Sequence, residues 1–137
     1  MSQENVEIVR RMFDAFNEGG LNAEDMLVEY FTDDIDYRAV EGAPDDPGPV
    51  RGKEALRAYV QDWLDTFDNF RQEPVELIDA GDDKVIAVLR ISGRAKLSGV
   101  ETGLTYAAHY TFRAGKIARG REYWTRAEAL EAAGLSE

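Results

Sequence analysis

The hydrophobic periodicity of this chain changes once, near Phe70, and the change leaves few folds open. Before that point apolar side chains recur every three to four residues, the spacing of helices; after it they alternate, the spacing of strands. Val6, Val9, Phe13 and Phe16, with Met12 beside them, predict a first helix stopped by the Gly19-Gly20 pair. Asn22 is placed to cap a short second helix whose apolar side is Met26, Leu27, Tyr30 and Phe31. Ile35, Tyr37 and Ala39 alternate with Asp36 and Arg38, as in a short strand. The stretch EGAPDDPGPVRG holds three of the four prolines and reads as a surface loop without regular structure, a candidate lid. Leu56, Tyr59, Val60, Trp63, Leu64 and Phe67 then keep the 3.6-residue period for more than three turns, the strongest helix in the chain.

Beyond Phe70, turn residues at DAGDD, SGVETG and RAGK divide the alternating region into four antiparallel strands, roughly 71–79, 84–96, 103–113 and 116–124. Thr125 and Glu128 make a capping box for a last helix ending near Gly134. Val85, Ala87, Leu89 and Ile91 form one apolar face against Arg90, Arg94 and Lys96; Tyr106, Ala108, Tyr110 and Phe112 line up opposite Thr105, Ala107, His109 and Thr111. The pattern predicts one α+β domain over residues 1–137, with a strongly bent, mostly antiparallel sheet and helices packed on its concave, aromatic side.

One acidic residue breaks that pattern. In the last strand Ala118, Gly120, Glu122 and Trp124 share a face, and Ile117, Arg119, Arg121 and Tyr123 share the other. The arginines mark the second face as wet or interfacial, so Glu122 points toward what the sheet covers. A carboxylate turned to an apolar interior either finds a partner or takes up a proton and waits for a substrate.

Composition excludes much of the remaining chemistry. With no cysteine and one histidine, the chain lacks disulfides, thiolate ligands, cysteine nucleophiles and a His-rich zinc site. The cluster Asp33, Asp34 and Asp36 lacks the glycine and distal Glu of a calcium loop. No metal is expected. No Gly-rich phosphate loop is visible, so no cofactor is expected either. A net charge of −11 repels nucleic acid and anionic membrane surfaces. No apolar run spans a bilayer, and the polar start MSQENVEIVRR has no signal-peptide core, so a cytoplasmic location is expected.

Four phrases, VRRMFDAFNEG, YFTDDIDY, RGKEALRAYVQDWLDTF and TFRAGKIARGREYW, resemble the SnoaL-like, polyketide cyclase-like branch of the nuclear transport factor 2-like superfamily, over nearly the whole chain. The resemblance implies a cone-shaped α+β fold. It leaves function open, because that superfamily holds cyclases, isomerases, dehydratases, epoxide hydrolases and non-catalytic modules. Glu122 in REYW occupies the position of the aspartate that cyclases and epoxide hydrolases of the superfamily carry in their last strand, one methylene longer here. The Arg and Asp that the epoxide hydrolases carry two residues apart match Arg90 and Ser92, so the acid is missing, and the alternation places Arg90 on the outer face. The steroid isomerases' two aspartates and tyrosine would fall near Ala39, Ala108 and Met12, which removes that mechanism.

The expected site follows. Glu122 acts as acid or base with Tyr106 and Tyr110, in a pocket lined by Phe16, Tyr37, Tyr59, Trp63, Phe67, Leu89 and Trp124 that takes a small apolar molecule. The implied activity is a cofactor-independent lyase, isomerase or hydrolase. The alternative is a non-catalytic ligand-binding or dimeric scaffold module, with Glu122 in a structural ion pair and the tyrosines as core aromatics. Arg90, His109, Thr111, Arg119, Arg121 and Tyr123 form an outer face, cationic for so acidic a chain, on which a homodimer is expected.

Overall fold

The computed structural model describes residues 2–18, 23–43, 46–81 and 83–135; Gly19, Gly20 and Asn22, the expected stop and cap, lie outside the described residues. The elements run α1 (Ser2–Asn17), α2 (Ala23–Tyr30), β1 (Phe31–Arg38), β2 (Val50–Arg51), α3 (Lys53–Thr66), β3 (Phe67–Asp79), β4 (Lys84–Ala95), β5 (Glu101–Arg113), β6 (Lys116–Tyr123) and α4 (Arg126–Ala132). Six strands form one bent, unclosed sheet in the order β2-β1-β6-β5-β4-β3. The strands β3 to β6 are an antiparallel meander, and β1 joins it in parallel against β6.

The concave face carries the main core. Val85, Ala87, Leu89 and Ile91 of β4 and Tyr106, Ala108, Tyr110 and Phe112 of β5 meet Val6, Val9, Met12, Phe13 and Phe16 of α1 and Leu56 of α3. The last helix does something else. The capping box of Thr125 and Glu128 starts α4, which lies on the convex face and buries Ala129 and Leu130 against Ile86 and Ala107. So the outer sheet face is partly covered.

Four local expectations are corrected. Phe31, expected on the apolar side of the second helix, begins β1 immediately after α2 ends at Tyr30, and its side chain is buried in the main core from there. Phe67, expected on the long helix, begins β3 with an extended backbone (φ −124°, ψ 140°). The helix ends at Thr66, whose hydroxyl bonds back to the Asp62 carbonyl at 2.6 Å; Phe67 still stacks on Trp63 at 5.6 Å, so its ring keeps the helical apolar pattern without the helix. Val50–Arg51, inside the Pro-rich stretch expected to have no regular element, forms the short strand β2 against Asp36 and Tyr37 because Val50 is an apolar side chain that buries there. Ile117, expected outside beside Arg119, is fully buried in the main core. The register across β5 and β6 jumps from Thr111–Arg119 to Phe112–Ile117, so Ala118 is an extra, bulged residue and the side chains before it change face.

Candidate active site

Glu122 is delivered to the concave face by β6, directly opposite Ala108 of β5. The small Ala108 leaves room above the sheet, and Tyr106 and Tyr110, two residues to either side of it, become the diagonal neighbours of the carboxylate. From the other side Tyr37 of β1 donates its hydroxyl hydrogen to Oε2 of Glu122. It reaches that position by lying flat over Gly120, its partner across the parallel β1–β6 pair. A Cβ at residue 120 would stand 2.5 Å from Cδ2 and 2.6 Å from Cε2 of the Tyr37 ring. The absence of a side chain there is what lets the tyrosine meet the glutamate.

Burial, and after it the negative charge of Glu122, push the phenol groups of Tyr37, Tyr106 and Tyr110 above the ordinary tyrosine range. All three therefore keep their hydrogens at cellular pH and serve as donors. Tyr37 spends its hydrogen on Glu122. Tyr106 spends its own on Oε1 of Gln72 at 3.2 Å. The hydroxyl of Tyr110 has no hydrogen-bond partner among the described residues.

These groups border a cavity of about 110 Å³, walled by Met12, Phe13, Leu56, Tyr59, Trp63, Phe70, Ile91 and Leu104 and edged at its mouth by Ala43 and the half-exposed Trp124. Of the expected lining, Tyr37, Tyr59, Trp63 and Trp124 reach the cavity together with Glu122, Tyr106 and Tyr110. Phe16, Phe67 and Leu89 do not. Leu89 is sealed under the helices with no exposed surface, Phe67 stacks behind Trp63 and Phe70, and Phe16 packs edge-on against Phe70 at 6.1 Å. These three support the aromatic wall from behind.

Sequence reasoning missed several apolar lining residues, among them Met12, Phe13, Leu56, Phe70, Ile91 and Leu104, and one polar one, Gln72. Phe70, Gln72 and Pro74 alternate at the start of β3, and the single polar side chain in that row was a readable signal. Pro74 is tolerated because β3 is an edge strand. Arg90 is exposed on the convex face, in agreement with the alternation and away from the cavity. His109, also convex, is only 9% exposed, and Nε2 is buried without a partner among the described residues. Burial, followed by the charges of Lys84, Arg119 and Arg121, holds its imidazole below the usual histidine range. Among the described residues no three His, Asp or Glu side chains gather in a metal-holding group, and no helix is long and apolar enough to cross a membrane.

The loop after β1 supplies Ala39, Val40 and Ala43 to the cavity, and one carboxylate organises it. Asp46 accepts two hydrogen bonds from the Arg38 guanidinium and one each from the backbone N–H groups of Gly42 (3.0 Å) and Gly48 (2.9 Å). The Arg38 contact, with those two amides, holds the Asp46 carboxyl well below the usual carboxylate range. A lowered folded-state value stabilises the loop above the ordinary aspartate range, and the clamp is lost as pH falls through the lowered value. The expected result is that the Gly42 and Gly48 amide resonances keep their folded shifts in an NMR titration to well below pH ~3.9. A midpoint at or above that value would show that the clamp does not form in solution.

The fold and the site together define a member of the NTF2-like superfold. Comparison with known proteins gives the family: the SnoaL-like domain matches residues 9–120, and the chain belongs to that family. Among solved structures it is similar to Bal32a from a soil-derived mobile gene cassette, with 23% identity, a TM-score of 0.77, and 93% of this chain and 94% of that one covered. It is also similar to an NTF2-like protein from Burkholderia xenovorans LB400, at 28% identity and a TM-score of 0.71 over 97% of both chains. A third similar structure is TerC, co-crystallized with polyporic acid, at 19% identity and a TM-score of 0.73, with 96% of this chain and 98% of that one covered. No curated protein matches the chain in sequence.

Proposed function

We propose that this protein is an acid/base enzyme that takes a small, uncharged, largely apolar carbonyl compound into the concave cavity, with Glu122 moving the proton. The observation that carries the reading is a carboxylate bordering open apolar volume, oriented by the Tyr37 hydroxyl and flanked by the Tyr110 hydroxyl. Glu122 as a carboxylate takes a proton from the carbon beside the carbonyl, and the electron pair moves onto the carbonyl oxygen. Tyr110 O–H donates to that oxygen as its charge develops. Return of a proton from Glu122 to carbon completes an isomerisation or exchange, and attack of the enolate on a second carbonyl would give a cyclisation.

The lining argues for a neutral substrate. Among the described residues it includes one carboxylate and no Lys, Arg or His, so an anionic ligand would meet a like charge without a counter-ion. At about 110 Å³ it is smaller than the roughly 150 Å³ cavity that holds benzene, so a single ring would fill it and reach toward Trp124, and a polycycle would project past it. The test is deuterium uptake beside the carbonyl of cyclohexanone in D₂O, followed by NMR. The protein should accelerate uptake over buffer, and a chain that binds the ketone without accelerating exchange would favour the non-catalytic binding module.

The same reading includes a homodimer through the convex face. Arg90 and Arg119 are exposed there, and Arg121 reaches Asp36 across β1 at 3.0 Å, while α4 leaves only part of the sheet available. Light scattering at micromolar concentration should give about twice the 15.4 kDa chain mass. A value near one chain mass rejects the dimer.

A further inference from the structure

We infer that Gln72 is a specificity residue: it requires the substrate to carry a second hydrogen-bond acceptor on the side of the ring opposite the reacting carbonyl. The inference rests on the reading above that the concave cavity is the substrate site.

Gln72 is fixed at both levels. Its backbone is clamped to the last residue of α1, with Asn17 Nδ2 donating to the Gln72 carbonyl at 2.7 Å and the Gln72 N–H donating to Asn17 Oδ1 at 2.8 Å. Its side-chain oxygen accepts from Tyr106 at 3.2 Å, which sets which end of the carboxamide faces which way. The Nε2 group is then left with two N–H donors that no described residue accepts, on a side chain that lines the cavity. Gln72 is half-buried and its Nε2 is not among the buried atoms without a partner, so water can reach these donors, and a ligand acceptor held beside the fixed amide replaces that water.

Its location gives the acceptor's position. Gln72 is level with Leu104 of β5 through Ile91, whereas Glu122 is opposite Ala108, four residues further along β5. The two side chains therefore enter the same cavity at different levels and from different strands. Tyr106 stands between them on β5, donating to Gln72 and lying diagonal to Glu122, so one molecule in the cavity can face both. A carbonyl at the Tyr110–Glu122 end and an ether, hydroxyl or second carbonyl oxygen at the Gln72 end satisfy both poles at once. A wholly hydrocarbon ring satisfies one.

Two ketones of nearly equal size separate the cases: 4-methoxycyclohexanone carries the second acceptor, and 4-ethylcyclohexanone replaces its oxygen with a methylene. Titrations of the full chain, read by ¹H–¹⁵N NMR, should show the methoxy compound binding about fivefold more tightly, the scale of one hydrogen bond formed out of water. The side-chain amide resonances of Gln72 should shift with that ligand only. Gln72→Met, of similar length and without donors, should bring the ratio of the two affinities to about one, whatever change in binding the two ketones share. Should that variant fail to fold, the Gln72 amide shift in the unaltered chain decides. Equal binding of both ketones with the Gln72 amide unmoved overturns this inference and leaves the cavity reading standing. Failure of both ketones to bind removes the cavity reading, and this inference with it.

Discussion

Replacing Glu122 by glutamine should lower the rate of proton exchange on a bound ring ketone about a hundredfold or more, the usual contribution of a positioned general base, while the protein remains folded. The glutamine keeps the length and one acceptor oxygen, so Tyr37 still has a carbonyl oxygen to donate to. What it loses is the ability to take a proton. The stability of the empty protein should change by less than about 1 kcal/mol if Glu122 acts in the chemistry, because a hydrogen-bonded polar group of the same shape replaces another and Tyr37 keeps its acceptor. Thermal unfolding and deuterium uptake measured on the same preparations separate the outcomes. If the variant loses about 3–5 kcal/mol, as when a buried ion pair is broken, Glu122 is a structural partner. Unchanged exchange would remove it from the chemistry. Tyr37→Phe is the companion measurement: it leaves the carboxylate and takes away its orientation, so a smaller loss than that of Glu122→Gln identifies Tyr37 as a positioning residue.

Most of the architecture was legible because it follows from alternation. The faces of β4 and β5 could be assigned because Arg90, Arg94 and Lys96 mark one side of β4 and Thr105, His109 and Thr111 one side of β5, although Ile86, Val88 and Ala107 make the apolar runs nearly continuous where the convex face is buried. The errors fall where the period is interrupted. A bulge at Ala118 adds one residue to β6, and no pattern in KIARGREY distinguishes it from an unbroken strand; Ile117 was therefore assigned to the outer face that it leaves. Phe67 illustrates the converse. Four residues after Trp63, it satisfies helical spacing whether the chain continues as helix or turns into a strand, and stacking of the rings keeps both options apolar. The extended choice goes with pairing to β4: Phe67 is opposite Ala95, and the Lys96 N–H donates to the Thr66 carbonyl at 2.9 Å, contacts that local spacing does not encode.

The site was legible to the extent that it depends on one face of the sheet. Glu122, Tyr106 and Tyr110 converge because β5 and β6 are adjacent and in register, which the hairpin turn at Ala114-Gly115 secures with two positive φ angles. Gln72 comes from the far edge of the sheet, and Tyr37 reaches Glu122 through a parallel pairing between chain segments 85 residues apart. Nothing in local spacing encodes such a pairing. It is set by the closure of β1 onto β6, and the small residue at 120 records it in the sequence without saying which aromatic ring it accommodates.

That small residue gives the largest expected effect on stability. Gly120→Ala adds one methyl group, and its backbone does not need glycine, since φ is not in the left-handed region. The obstacle is packing. The new Cβ would sit 2.5 Å from the Tyr37 ring, with Tyr110 Cδ1 3.6 Å away on the same side. Tyr37 is buried at 7% exposure and backed by Tyr59 at 5.8 Å, so its ring has little space in which to swing aside. Either the ring tilts and its hydroxyl leaves Glu122, or β1 moves off β6 and the Tyr37–Gly120 pairing opens. Overpacking together with a lost buried hydrogen bond should cost about 3 kcal/mol, a fall in melting temperature of about 10 °C for a domain of this length. The cause is checked by repeating the substitution in a Tyr37→Ala background. There the methyl group has room, and Gly120→Ala should cost less than about 0.5 kcal/mol, giving a large coupling between the two positions. Equal costs in both backgrounds would mean that the glycine serves the β6 backbone itself, and that the placement of Tyr37 on Glu122 has another origin.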